Sequence, residues 1–187
     1  MFSEYRDSEL SADEIRSVAE LLCATWPDHV STVEDRMHKL EQLANADQVA
    51  PPGSIPPRRY VLWDHSRACV HAHTFGRTIG TDQGPLPIMA LAGVAVIPEW
   101  RGRGLGRSVV RRAFSRVDSG EFAASLFQTD VPDFYRKIGC CTVHNRFINS
   151  LSSLDPTANP WLDNYVMVYP DGFAWPDGVI DLNGAAY

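Results

Sequence analysis

Gly102, Gly104 and Gly106 lie two apart in the run RGRGLGR, from Arg101 to Arg107. This spacing suits an anion. Without Cβ atoms the backbone N–H groups can turn toward a ligand, and the start of a following helix adds unpaired donors and a partial positive charge. Six arginines, from Arg101 to Arg116, are accompanied only by the nearby Glu99, so the stretch suits a ligand carrying several phosphate charges. A second group could move protons: His71 and His73 alternate along one strand and share a face with Cys69 and Phe75. A histidine near neutrality suits removal of a proton from an ammonium, directly or through water; the blander reading is a hydrogen-bonded surface or core histidine.

The glycines need a strand before them and a helix after them. The apolar run Met89 to Ile97 ends at Pro98, which cannot donate to a further ladder rung. After the loop, Val109, Val110, Ala113, Phe114 and Val117 recur at helical spacing. The order is strand, glycine-rich loop, helix. A P-loop would require Lys-Ser or Lys-Thr after the last glycine, where Arg107 and Ser108 stand, and a dinucleotide fingerprint requires G-x-G-x-x-G. Neither nucleotide pattern fits.

What remains is R-x-x-G-x-G, carried by Arg101, Gly104 and Gly106 behind Val96-Ile97-Pro98. It resembles the coenzyme A pyrophosphate loop of the GCN5-related N-acetyltransferase (GNAT) superfamily. Phe134 to Gly139 (FYRKIG) is similar to the family's F-Y-x-x-x-G element. The resemblance implies acetyl-CoA, or another acyl-CoA, as cofactor and a direct transfer to an amine. It implies cofactor contacts at Val94, Val96, Arg101, Gly102, Arg103, Gly104, Gly106 and Arg107. The Val96 N–H would point at the thioester oxygen and Tyr135 would be the general acid. Two positions depart from the family pattern: Cys140, where an aromatic usually follows the glycine, and Gln128, where an asparagine is frequent. The strand before the loop also lacks the family's common glutamate, so a base must come from elsewhere, with His71 preferred over His73. The closing AWPDGVIDLNG (Ala174 to Gly184) is similar to the ending of nodulation acyltransferases, and aminoglycoside N-acetyltransferases share the central motif. Both act on amino sugars. The implied partner is therefore a small-molecule amine; a longer-chain acyl donor and a non-catalytic CoA-binding sensor are the other readings.

The rest of the chain supports one 187-residue domain, long enough to bury roughly 70% of its unfolded surface. Ser11 with Glu14 and Ser31 with Glu34 read as capping boxes for two amphipathic helices. Trp26 and His29 lie on the loop between them, as walls of an acceptor site or, for the indole, a plug at the core edge. Strands are expected at Phe2 to Asp7, Tyr60 to Trp63, Ala68 to Ile79, Leu86 to Ile97, Phe122 to Gln128, Cys140 to Ile148 and Tyr165 to Val168, with a short helix at Val131 to Ile138 capped by Asp130. The fold class is α/β (α+β): a GNAT-like mixed, mostly antiparallel sheet flanked by helices and splayed at the central strand.

Net charge is −6, and Leu151 to Tyr187 holds five aspartates with no Lys or Arg, which argues against nucleic acid. No apolar run reaches the roughly 20 residues of a membrane helix. The four cysteines lack metal-ligand spacing, so no metal is expected and a reduced, cytoplasmic protein is. Cys140 and Cys141 are either small strand residues or a vicinal disulfide. The oligomeric state stays open between monomer and homodimer.

Overall fold

Caps and turns set the helical start of the chain. The computed structural model describes residues 2–27 and 31–187. Strand β1 (Ser3–Tyr5) and a 3-10 turn (Asp7–Glu9) lead to helix α1 (Ala12–Thr25), whose N-cap Ser11 accepts from the Glu14 backbone while Glu14 reaches back. Helix α2 (Val33–Gln48) is capped one residue later than expected: Thr32 and Asp35 form the box, instead of Ser31 and Glu34. Both pairs satisfy the motif, and the helix starts at Val33, after Thr32.

Strands β2 (Arg58–Asp64), β3 (Arg67–Thr81) and β4 (Gly84–Val96) follow, then a 3-10 turn (Pro98–Trp100) and helix α3 (Leu105–Asp118). The chain closes with β5 (Ser125–Thr129), α4 (Pro132–Arg136), β6 (Cys141–Val143), β7 (Arg146–Ile148), β8 (Tyr165–Tyr169) and β9 (Val179–Asp181). The fold is α/β, with a mixed and mostly antiparallel sheet flanked by helices.

Two compact units divide these elements: Met1–Phe75 with Ala92–Ala113, and Gly76–Leu91 with Phe114–Tyr187. In the first, β1, β2 and β3 pair antiparallel, with Glu4 opposite Tyr60 and Tyr60 opposite Ala72. Helix α1 has Ile15, Val18, Ala19 and Leu22 at helical spacing, so one stripe meets Leu40, Val61, Cys69, Ala95 and Ile97 in a shared core.

In the second unit β4 and β5 run parallel through Met89↔Ser125 and Ala90↔Leu126, whereas β5 continues against β8 as far as Thr129↔Tyr165. The two strands therefore share only the start of β5. Strand β8 also pairs with β6, while β9 pairs with the end of β3 and with β7. Ile88, Leu126, Val168, Phe147, Ile180 and Leu182 fill this unit's core. The expected strand Cys140 to Ile148 is two short strands, and β9 arises inside the AWPDGVIDLNG ending, where turn-forming residues mask a three-residue strand. Strand β5 begins at Ser125, and Phe122 ahead of it lies by the Arg116 guanidinium, 5.0 Å from its ring centroid.

Candidate active site

Strand β4 delivers the chain to the glycine loop. Pro98 starts the 3-10 turn, and Arg101 Nε donates back to the Val96 carbonyl at 3.1 Å, tying the loop to the strand end. Gly102 and Gly104 both have φ of +76°, a region other residues enter at a cost, and a Cβ built on either meets nothing within 4 Å. The helical ladder of α3 begins with Ser108 N donating to Gly104 O, so the N–H groups of Leu105, Gly106 and Arg107 precede it. No acidic side chain stands in that first turn. The helix start and its dipole thus lie beside the open space at Gly102 and Gly104, close in sequence to Arg101, Arg103 and Arg107. Of the six arginines, Arg112 is paired with Glu4 and Arg116 is buried on Glu121, which leaves the basic face narrower than the sequence suggests.

Val94 and Val96 are half-buried on β4. Ile97 N donates to Cys69 O at 2.9 Å, which fixes the side of β4 that faces β3. By strand alternation the N–H groups of Val94 and Val96 point to the other side. Just before them Gly93 breaks the extended run with φ of +58°.

The two histidines lie inside the first unit. His71 is 1% exposed, and Nδ1 sits 2.7 Å from the Gly93 carbonyl while Nε2 sits 3.1 Å from Arg59 Nη1. A guanidinium can only donate, so Nε2 accepts and Nδ1 carries the proton. Burial, then the Arg59 charge, pushes the His71 pKa down to about 3. His73 Nε2 is 3.1 Å from Asp7 Oδ2, and Asp7 Oδ1 is 2.6 Å from Arg59 Nε. Burial would raise the Asp7 carboxyl, but His73 and Arg59 outweigh it and hold it below the usual carboxylate range.

In the second unit Tyr135 is buried on α4, its ring 4.6 Å from Phe127 and 4.8 Å from Phe134. No hydrogen bond ties its hydroxyl among the described residues. Burial raises its pKa, with Cys140 and Asp163 adding to the effect, so the phenol keeps its proton. Gln128 is fully engaged within its own unit: Nε2 donates to Tyr187 O, and Oε1 accepts from Leu162 N and Asp163 N. Asp130 does not cap α4. Its carboxylate takes both the backbone and side-chain N–H groups of Asn164, and Val131 stands at the N-cap. Trp26 closes α1 and packs, half-buried, on the first unit's core, while His29 lies outside the described residues.

A family model described as an acetyltransferase (GNAT) domain matches residues 6–143, which contain the loop, the histidine strand and the Tyr135 helix. The chain belongs to the GNAT acetyltransferase family. The GNAT fold is also seen in its structural likenesses. One is YhbS of Escherichia coli, a GNAT family N-acetyltransferase solved with CoA: TM-score 0.61, 15% identity, covering 98% of this chain and 89% of that one. Another is a GNAT family acetyltransferase of Brucella melitensis solved with acetyl-CoA, with TM-score 0.59 and 14% identity over 97% of this chain and 95% of that one. A third is a probable N-acyltransferase of Enterococcus faecalis, with TM-score 0.55 and 14% identity over 75% of this chain; this chain spans about a third (32%) of its length. No curated protein matches the sequence.

Within this GNAT domain three residues escape the sequence reading: Asp7, Arg59 and Gly93. Arg59 carried a signal, since a strand reading RRYVLWD with both faces apolar beyond Arg58 has no obvious outlet for a second cation. Asp7 gave none, being one acid in a polar N-terminal run. Gly93, a lone glycine in a strand pattern, is the usual mark of a break or a close approach. Among the described residues no three His, Cys, Asp or Glu side chains gather as a metal site. No helix among them is long and apolar enough to cross a membrane.

Proposed function

We propose that the chain is an acyl-CoA-dependent N-acetyltransferase acting on a primary amine of a small molecule. The observation that carries this reading is the open cradle at Gly102 and Gly104 ahead of α3, space that any other side chain would fill. Its N–H donors and Arg101, Arg103 and Arg107 suit a diphosphate. When bound, acetyl-CoA would supply the acyl group as a thioester. The Val94 and Val96 N–H groups offer hydrogen bonds along β4. Tyr135 holds its proton through the neutral range and has a hydroxyl free to donate it, which suits a general acid.

His71 does not suit the base role expected of it. Both its ring nitrogens are engaged, and a group titrating at about 3 cannot draw a proton from an alkylammonium near 10.4. His73 is held on Asp7 in the same buried network, so its placement too supports a structural role. The acceptor is then taken up as the neutral amine or deprotonated through solvent. Amino sugars are the first acceptors to screen, on the AWPDGVIDLNG ending. The four free cysteines accord with a reducing, cytoplasmic setting.

Thermal denaturation with and without acetyl-CoA or CoA tests the reading. At a hundredfold excess over Kd the gain is about 2.7 kcal/mol, or on the order of 5–10 °C in Tm for a chain of this size. Gly104→Glu should abolish that shift by filling the cradle. No shift in the wild type, or an equal shift in the variant, would refute the cofactor assignment.

A further inference from the structure

His71 is too well placed, and too weakly basic, to be an idle buried histidine or a base. Its imidazole lies close to Gly93: a Cβ on that glycine would come within 3.2 Å of Cε1 and 3.3 Å of Nδ1. The contact joins adjacent strands at the point where β4 departs from extended geometry. Gly93 O and Val94 N–H belong to one peptide unit, which is trans, so the carbonyl and the N–H point in opposite directions from one rigid plane. Whatever grips the carbonyl therefore aims the N–H.

We propose that His71 is a positioning residue for the acyl group, and that the thioester meets the Val94 N–H rather than the Val96 N–H that the family pattern implies: through its Nδ1–H bond to Gly93 O, His71 fixes and polarises the peptide whose other edge is the Val94 N–H. This rests on the acetyl-CoA reading above. The polarisation has a source. Asp7 and Arg59 form a buried ion pair at 2.6 Å, and Arg59 Nη1 donates to His71 Nε2, which strengthens the opposite Nδ1–H as a donor. Donation to an amide carbonyl in turn draws electron density from the amide nitrogen and makes its N–H the stronger donor, an effect of roughly 10–30% per bond in such chains. The order Asp7, Arg59, His71, Gly93, Val94 runs across the 3-10 turn, β2, β3 and β4 without leaving the first unit. A donor of this kind matters most where negative charge grows on the acyl oxygen, because a fixed dipole needs no reorganisation as that charge appears.

The test reads the bound acyl group directly and needs no acceptor. Infrared difference spectra of acetyl-CoA labelled with carbon-13 at the carbonyl are recorded on the wild type, His71→Leu and His71→Asn. Asn places its amide nitrogen where Nδ1 stands and retains the donor, whereas Leu has the bulk without it. The carbonyl stretch is expected to shift to lower frequency on the wild type, to lose most of that shift in His71→Leu, and to regain it in His71→Asn. An equal shift in His71→Leu overturns this inference alone. Failure of the wild type to bind acetyl-CoA overturns the cofactor assignment and this inference with it. Independently of any variant's folding, nitrogen-15 NMR of the wild-type histidines must show His71 neutral with the proton on Nδ1 at pH 7.5 and at pH 5; a proton on Nε2 overturns the proposal.

Discussion

Burial of the His71 ring gives acid one way to destabilise this protein. His71 titrates at about 3 in the folded chain and at about 6.5 when exposed on unfolding. Below pH 6.5 the unfolded chain binds a proton that the folded chain refuses, so stability falls as pH falls and the loss continues until about pH 3. Integrating between pH 7.5 and pH 5 gives a loss of about 2 kcal/mol from this group. Asp7 does not confuse that window. Its carboxyl is held below its ordinary value, so its contribution is present above about pH 4 and lost only as pH falls through its folded value. Arg59 stays charged throughout. The assay is urea unfolding at pH 7.5, 6 and 5 on the wild type and on His71→Asn, comparing midpoints at constant m. Asn has no proton to gain, so the variant should lose about 2 kcal/mol less over that range. Equal acid dependence in the two proteins would show that His71 titrates normally, and the tautomer and positioning arguments would fall with it.

Gly93→Ala should cost about 1–2 kcal/mol for left-handed backbone alone, with a further penalty from the His71 ring; unchanged stability in denaturant would contradict the geometry. Asp7→Asn leaves the Arg59 charge buried without its counterion and should cost about 3–5 kcal/mol by the same assay, whereas a loss under 1 kcal/mol would mean that water reaches Arg59. Tyr135→Phe should lower kcat by roughly 10²–10⁴ while leaving the CoA-induced Tm shift intact; full turnover would remove the general-acid role. Wild-type turnover should also show no phenol limb below about pH 10, since burial moves that group upward from its ordinary value.

The strand, loop and helix around Gly104 were legible because each announces itself locally, by a proline stop, by glycines and by a 3.6-residue repeat. The Ser11 and Glu14 cap was legible for the same reason. Alternation along β3 also placed Cys69, His71 and His73 on one face. It could not say that this face is buried, because Val70, Ala72 and Thr74 on the opposite face are buried as well. A strand covered on both sides carries no polarity contrast. The Thr32 cap, the engagement of Asp130 with Asn164 and the closure of Gln128 on Leu162, Asp163 and Tyr187 depend on partners distant in sequence or on a competing neighbour, and spacing rules do not reach them.

The first ten residues are more than a short edge strand. Two buried carboxylates fasten them: Asp7 holds Arg59 and His73, and Asp47 on α2 holds Arg6 and Ser8. The amino-terminal segment thus serves as the counterion of β2. A protease that removed residues 2–9 would take away a fixed charge as well as a β-ladder, and a cation in the apolar interior would have to find water or unfold its strand.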